Sequence, residues 1–437
     1  MKTIHWFSPL PPSETDIANF SVRVARELQR LCNLTLWTDK RDLKKKRSTL
    51  GLSCPIRSYT DTERAITDLN RADAIFFNFG NNAAFHRDIW TKSKEFSGCA
   101  ILHDLSLFEF GKSIYNISLG QNTSLALLGR RIYGQTTDQE IRQAFEDPET
   151  YDVAEKYPFT QWLISGCWGA IQHTHPDFLE SPKPLLNELE RPIFHAYLPY
   201  PSTIPKERQT AMRKESSPLH CLMFGYIGGD NRRLIPVLEA LYRYPHKDKI
   251  RLHLAGKIHP RFAVERRLKN MGIQHLVTLH GFLNENGLDQ LIRNTDLVIN
   301  LRYPSRGESS GSLLRAWNQE ACCLVTNYGY YEGLPENTVI KTAIKNEAAD
   351  IHAAWDMLLK NPHMGIKYGK EGKNFLEEKH SVEDYVAAVL KIAEFPINER
   401  SKPTKDLLRQ RYAKWLNKSM DNEEVATHLA QRLENII

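Results

Sequence analysis

Short runs of β-branched and aromatic residues alternate with longer segments of helical period as far as residue 345, a pattern that predicts parallel sheets covered by helices. In the first half the runs TIHWF (3–7), LTLW (34–37), AIFFNFG (74–80), CAILHD (99–104) and GCWGAIQHTH (166–175) read as strands. Helical segments fall over Ile17 to Leu31 and around Asp61 to Leu69, and a long helix-rich excursion separates the last two strands. Between 198 and 218 the stretch LPYPSTIPKERQTAMRKESSP has no apolar period and reads as a linker. The alternation then restarts with LHCLMFG (219–225), IRLHLAG (250–256), VTLHGF (277–282), DLVINLR (296–302) and CLVTN (323–327), with helices near Pro236, up to Met271, from Leu288 and from about Ser312. After Ala348 the pattern is helical to the end. The expected organisation is an α/β domain over 1–200, a linker over 201–218, a second α/β domain over 219–375 and helices over 376–437 that can cross back to the first domain. Two such halves predict a central cleft at the carboxyl ends of both sheets, where a ligand binds.

Composition narrows the class. With 41% hydrophobic and 25% charged residues the chain is an ordinary globular one. No run of 18 apolar residues occurs, and Pro9, Pro11 and Pro12 interrupt the place where a signal peptide needs its apolar core, so a cytoplasmic location is expected. Seven scattered cysteines without a C-x-x-C pair indicate neither a disulfide framework nor a zinc site. A net charge of +6 is mild over 437 residues and argues against a nucleic-acid binder, while leaving room for an anionic ligand or a peripheral contact at the inner face of the cell membrane. The cluster DKRDLKKKR (39–47) reads first as a solvated loop and second as a contact with phosphate or lipid headgroups.

The densest chemical signal is DLVINLRYPSRGESSGSLLRAWNQEACCLVTN (296–327), a strand, a loop of small residues, a helix and a strand. Free backbone N–H groups where Ser309, Ser310, Gly311 and Ser312 open the helix suit an anion at the positive end of the helix dipole. Ser310 alone would pass for a helix cap. Glu308, with Arg302 and Arg306 close by, changes that reading, because a carboxylate beside an anion-binding turn is costly unless it serves a polar partner such as sugar hydroxyls. His103 ends an apolar strand, where the residue by itself reads first as a structural histidine and second as a functional one. Trp6, Trp168 and Trp317 sit in apolar settings and belong to the core. A dinucleotide enzyme is disfavoured, since neither SPLPPSETD nor GYIGGDN is a G-x-G-x-x-G turn.

The stretch NLRYPSRGESSGSLLRAW resembles the donor-binding segment of family 4 retaining glycosyltransferases of the GT-B fold, in a bacterial branch that reads L-R-x-P-T-x-G-E-T-S-G-S. Over roughly residues 1 to 390, other segments are similar to that family in the same order: FSPLPPSETDIANFS (7–21), NFGNNAAFH (78–86), AILHDLSLF (100–108), IQHTH (171–175), FGYIGGDNRRL (224–234) and VTLHGFLNENGLDQLIRNTDLVINLR (277–302). The resemblance implies two Rossmann-like domains facing a cleft, with a helical C-terminal tail. It also implies a metal-independent, cofactor-free transfer of a sugar from a UDP- or GDP-sugar, with retention, to a saccharide or lipid-linked acceptor, as in polysaccharide biosynthesis.

On that resemblance Glu308 contacts the donor sugar, Arg232 neutralises the diphosphate, and His103 stands near the reacting carbon. Gly311, Ser312, Ser310, Lys257, Arg306 and Gly281 become donor-binding residues, and Asp104, His86 and His173 acceptor-side candidates; no residue is assigned to a metal. The chain departs from the family in three places. Ala316 replaces its second Glu, Tyr226 to Gly229 stand where an Arg often precedes the cation at 232, and Thr15 and Asp16 replace a Ser-Gly pair. These losses keep open a rival, a catalytically weak subunit of the same fold that binds a sugar nucleotide or a partner.

Overall fold

The computed structural model describes residues 1–43, 50–119, 123–134, 137–146, 152–175, 191–203, 217–227 and 229–396. Residues 44–47 of the basic cluster, most of the linker and the tail from 397 lie outside the described residues. The chain forms two compact units, each built on its own parallel sheet. The division does not fall at residue 200. Described residues 1–173, 191–196 and 386–396 belong to the first unit, and 174–175 and 197–385 to the second.

The first sheet contains β1 (Thr3–Phe7), β2 (Asn33–Thr38), β3 (Ile56–Ser58), β4 (Ala74–Phe79), β5 (Gly98–Leu102), β6 (Cys167–Gln172) and β7 (Ile193–His195), in the order β3-β2-β1-β4-β5-β6-β7. Its central strands carry near-continuous apolar runs because helices cover both faces: all six residues of AIFFNF in β4 are buried. The helix Asp16–Leu31 places Ala18, Phe20, Val24, Ala25 and Leu28 in the interior, with Asp16 in its first turn and Arg30 in its last, each complementing the helix dipole. Direction of winding reverses between β1 and β4, where Ile4 pairs with both Leu34 and Ala74.

The second sheet contains β8 (Leu219–Phe224), β9 (Ile250–Ala255), β10 (Val277–Gly281), β11 (Leu297–Ile299), β12 (Cys323–Thr326) and β13 (Ile340–Thr342), in the order β10-β9-β8-β11-β12-β13. Its switch lies between β8 and β11. The helix Pro362–Lys379 lies close to the chain before β12 because it has no side chain at Gly369, where a Cβ would stand 1.9 Å from the carbonyl oxygen of Glu320. One turn on, the same helix meets the indole of Trp317, and a Cβ at Gly372 would lie 2.2 Å from that ring.

Trp6, Trp168 and Trp317 are all buried. The helix Val382–Ala393 carries the chain back into the first unit, where Phe395 stacks on Trp168 at 5.6 Å and 7° and meets Phe194 edge-on at 5.3 Å. The segment expected as one helix over 61–69 is instead a single turn, Tyr59–Asp61, and a short helix, Ile66–Asn70. A reciprocal cap between Ser58 and Asp61 opens that turn. Among the described residues no helix is long and apolar enough to cross a membrane.

Candidate functional site

In the second unit the polar groups gather at the switch point. β8 ends at Phe224, Gly225 turns the chain with φ +102°, and the turn Asp230–Arg232 brings Arg232 back over the strand end. Its Nη2 donates to the carbonyl of Phe224 at 2.9 Å and its Nη1 to Asn300 Oδ1 at 3.4 Å, with only 8% of the residue exposed. Arg233 adopts the left-handed region at φ 57°. Its guanidinium grips both oxygens of Glu347 at 2.8 to 3.1 Å and lies over the ring of Tyr303 at 5.9 Å, which offsets the backbone cost and fixes the turn.

The strand expected to run to residue 302 ends at Ile299; the Asn300 N–H still reaches the Leu324 carbonyl at 2.8 Å, and the Arg302 N–H goes to the Thr326 hydroxyl at 3.0 Å instead of a backbone carbonyl. Asn300 Nδ2 donates to Ser310 Oγ at 3.0 Å and to the Tyr331 hydroxyl at 3.1 Å, while Ser312 Oγ donates to Asn300 Oδ1 at 3.0 Å. Ser310 caps the helix Gly311–Asn318 by accepting from the N–H of Leu313 at 3.2 Å. A Cβ at Gly311 would meet nothing within 4 Å, so the helix start is sterically open.

Glu308 sits in the loop before that helix with both oxygens engaged. Arg302 Nη1 donates to Oε1 at 2.7 Å, and Ser305 Oγ and the Arg306 N–H donate to Oε2 at 2.9 and 2.5 Å. Burial opposes ionisation here, but the charge of Arg302 and the surrounding hydrogen bonds outweigh it and hold the carboxyl below its ordinary value. Arg302, which the sequence sets close to Glu308, is paired with it. Thr174 joins this loop through its hydroxyl, which donates to the Gly307 carbonyl at 3.2 Å and lies 3.3 Å from Ser309 Oγ. Lys257, exposed, and Gly281, with φ +63°, lie at the ends of the neighbouring strands β9 and β10, and the Lys257 carbonyl accepts from the Ile227 N–H at 2.9 Å.

The first unit has a matching centre at its own switch point. Asn78 Nδ2 donates to the carbonyl of Phe7 at 3.0 Å, which fixes the amide so that Oδ1 accepts from His103 Nε2 at 2.9 Å. His103 therefore carries its proton on Nε2 and presents Nδ1 as an acceptor. His86 donates from Nδ1 to the carbonyl of Asn78 at 3.0 Å, and His173 from Nδ1 to that of Ala196 at 3.1 Å. Phe20 packs edge-on against His103 at 4.7 Å and His173 at 5.6 Å, and the two imidazoles lie 5.0 Å apart. Burial lowers His86 to about 4, and burial together with its neighbours His173 and His86 holds His103 well below the ordinary histidine value. At neutral pH both rings are uncharged. Asp104 accepts from the N–H of Asn81 at 2.9 Å beside Gly80, where a Cβ would come within 3.1 Å of His86 Nε2 and 3.5 Å of Asp104 Oδ2.

No protein-family model and no curated protein sequence matches the chain. Solved structures match it over nearly its whole length. A glycosyltransferase from Rickettsia africae is 14% identical with a TM-score of 0.59, covering 90% of this chain and 98% of its own. The Anabaena protein HepE, crystallised in complex with UDP, is 10% identical with a TM-score of 0.58, covering 90% and 99%. Sucrose-phosphate synthase from Thermosynechococcus elongatus is 10% identical with a TM-score of 0.59, covering 90% and 98%. This chain has the GT-B fold.

Within the GT-B frame, the sequence-based candidates separate into two groups, one per unit. Glu308, Arg306, Ser310, Gly311, Ser312 and Arg232 gather around the β8–β11 switch, and His103, His86, His173 and Asp104 around the β1–β4 switch. Asn78, Asn300, Tyr331 and the Arg233–Glu347 pair were not singled out from sequence. A signal for the two asparagines existed. Each is the lone polar residue near the end of an otherwise apolar strand, in AIFFNF and in LVIN.

Proposed function

We propose that this chain is a metal-independent, retaining glycosyltransferase that uses a UDP- or GDP-sugar, its second unit binding the donor and its first unit the acceptor. The observation that carries the reading is the ionised Glu308 held beside an open helix start and the Arg232 guanidinium at the switch point of the second unit. A nucleoside diphosphate leaves with developing negative charge. Arg232 and the backbone N–H groups of Gly311 and Ser312 stabilise it, with Lys257 and Arg306 as further cations, so protein charge takes the part a divalent ion plays elsewhere. Glu308 orients the sugar, and neutral His103 accepts a hydrogen bond from a substrate hydroxyl through Nδ1. The acceptor is a saccharide or a lipid-linked glycan of a surface polysaccharide, handled on the cytoplasmic side. The structural neighbours support a nucleotide-sugar donor: HepE is crystallised with UDP and with UDP-glucose, and the Rickettsia africae protein is a glycosyltransferase.

Incubation with a panel of nucleotide sugars and glycan acceptors, followed by mass spectrometry in the presence of EDTA, is expected to show a product heavier by one sugar residue. Nucleotide binding without turnover on any donor would favour the second reading, a sugar-nucleotide-binding subunit, which the missing carboxylate at the buried Ala316 supports. A pH profile tests the charge on Glu308. Burial pushes this carboxyl toward protonation, while Arg302 and the hydrogen bonds keep it ionised. In Arg302→Gln the ion pair is gone and burial remains, so the acid limb of kcat/KM is expected to move to higher pH; an unmoved limb would remove the Glu308 charge from the mechanism.

A further inference from the structure

We propose that Asn300 is a positioning residue of the donor site: it aims the Arg232 guanidinium and locks the Ser310–Ser312 turn as one unit, and it has to be uncharged to do so. The proposal rests on the donor-site reading above and deepens it.

Hydrogen-bond direction carries the argument. Asn300 is 2% exposed, and its amide meets four groups, two on each side. Ser310 Oγ receives an N–H from Asn300 and another from Leu313, so its own proton goes to Ser312 Oγ at 3.1 Å. Ser312 Oγ passes its proton to Asn300 Oδ1 at 3.0 Å, which closes a ring with a single sense of rotation. Both serine protons are thereby consumed inside the protein. The two serines, candidates for direct donor contact on sequence grounds, act through the ring instead, and the phosphate-facing donors of this turn are the N–H groups of Gly311 and Ser312, which have no partner one turn back. The same amide oxygen also takes Arg232 Nη1, so the direction of the cation and the geometry of the helix start are set by one side chain.

Asparagine alone among residues of its size fits. Aspartate is isosteric but cannot donate to Ser310 or Tyr331, and it places a carboxylate against the guanidinium that is meant for the diphosphate.

The test is calorimetric binding of UDP, GDP, uridine and pyrophosphate to the full chain. Asn300→Asp is expected to weaken UDP at least about tenfold while uridine affinity stays within about twofold, a split that a general loss of structure does not produce. Tyr331→Phe, which removes one acceptor on the far side of the amide, is expected to weaken UDP by about two- to fivefold and to fold even where Asn300→Asp does not. Wild-type UDP affinity in either folded variant, or equal losses for UDP and uridine, would overturn the proposal and leave the donor-site reading standing. A wild-type chain that binds neither nucleotide nor pyrophosphate would remove that reading, and this proposal with it.

Discussion

Glu308→Gln is expected to lower the rate of sugar transfer by about 10²–10³-fold while the two sheets stay folded, a loss of the size seen when one charge-stabilising group is removed from an active site. The substitution keeps the shape of the side chain and removes its charge. It also leaves the Arg302 guanidinium, whose side chain is only 17% exposed, without a counter-charge, and offers one acceptor oxygen where the carboxylate offered two. About 1–3 kcal/mol of local stability should go with it. The two effects separate in a double variant. Adding Arg302→Gln removes the stranded charge, so the melting temperature should recover while transfer does not. Recovery of transfer along with stability would mean that Glu308 only holds its loop in place, and a fully active single variant would exclude it from the chemistry altogether.

Arg232→Ala should weaken UDP binding by about ten- to hundredfold and leave uridine binding nearly unchanged, the expected cost of losing a charge-assisted contact to a diphosphate. Arg232→Lys keeps the charge but not the fork that reaches both the Phe224 carbonyl and Asn300, so an intermediate affinity is expected. Equal losses for UDP and uridine in the alanine variant would place Arg232 in the framework of the turn and not against the phosphates. Raising the salt concentration should narrow the gap between wild type and the alanine variant, because the removed interaction is one between charges.

Much of the architecture was legible because the long strands announce themselves. AIFFNF and LHCLMF are apolar on both faces, and the stretches between them carry the helical period. The three strands not anticipated, β3, β7 and β13, are three residues each and close the ends of their sheets in IRS, IFH and IKT, too short for any period to show. Glu308 stood out from its own loop, whereas Arg232 and His103 entered as candidates only through the family resemblance. Their supports were harder to see. Asn78 and Asn300 matter because strands distant in sequence bring Phe7 to one and Arg232, Ser310 and Tyr331 to the other. The pairing of Arg302 with Glu308 was hidden for a related reason. A cation six residues from a glutamate in a loop can point at a ligand or fold back on the carboxylate, and Arg302 folds back.

The stacking of Phe395 on Trp168 bears on how the molecule is made. Synthesis delivers β1 to β6 early, but the aromatic surface at β6 and β7 receives its cover from residues that emerge some two hundred positions later. A nascent chain therefore holds the first unit without Phe395 while the whole of the second is being translated, and a fragment stopped at Tyr385 would lack the ring that stacks on Trp168. The second unit, by contrast, has its sheet and covering helices in hand before the chain turns back, so it is the part of this protein able to finish first.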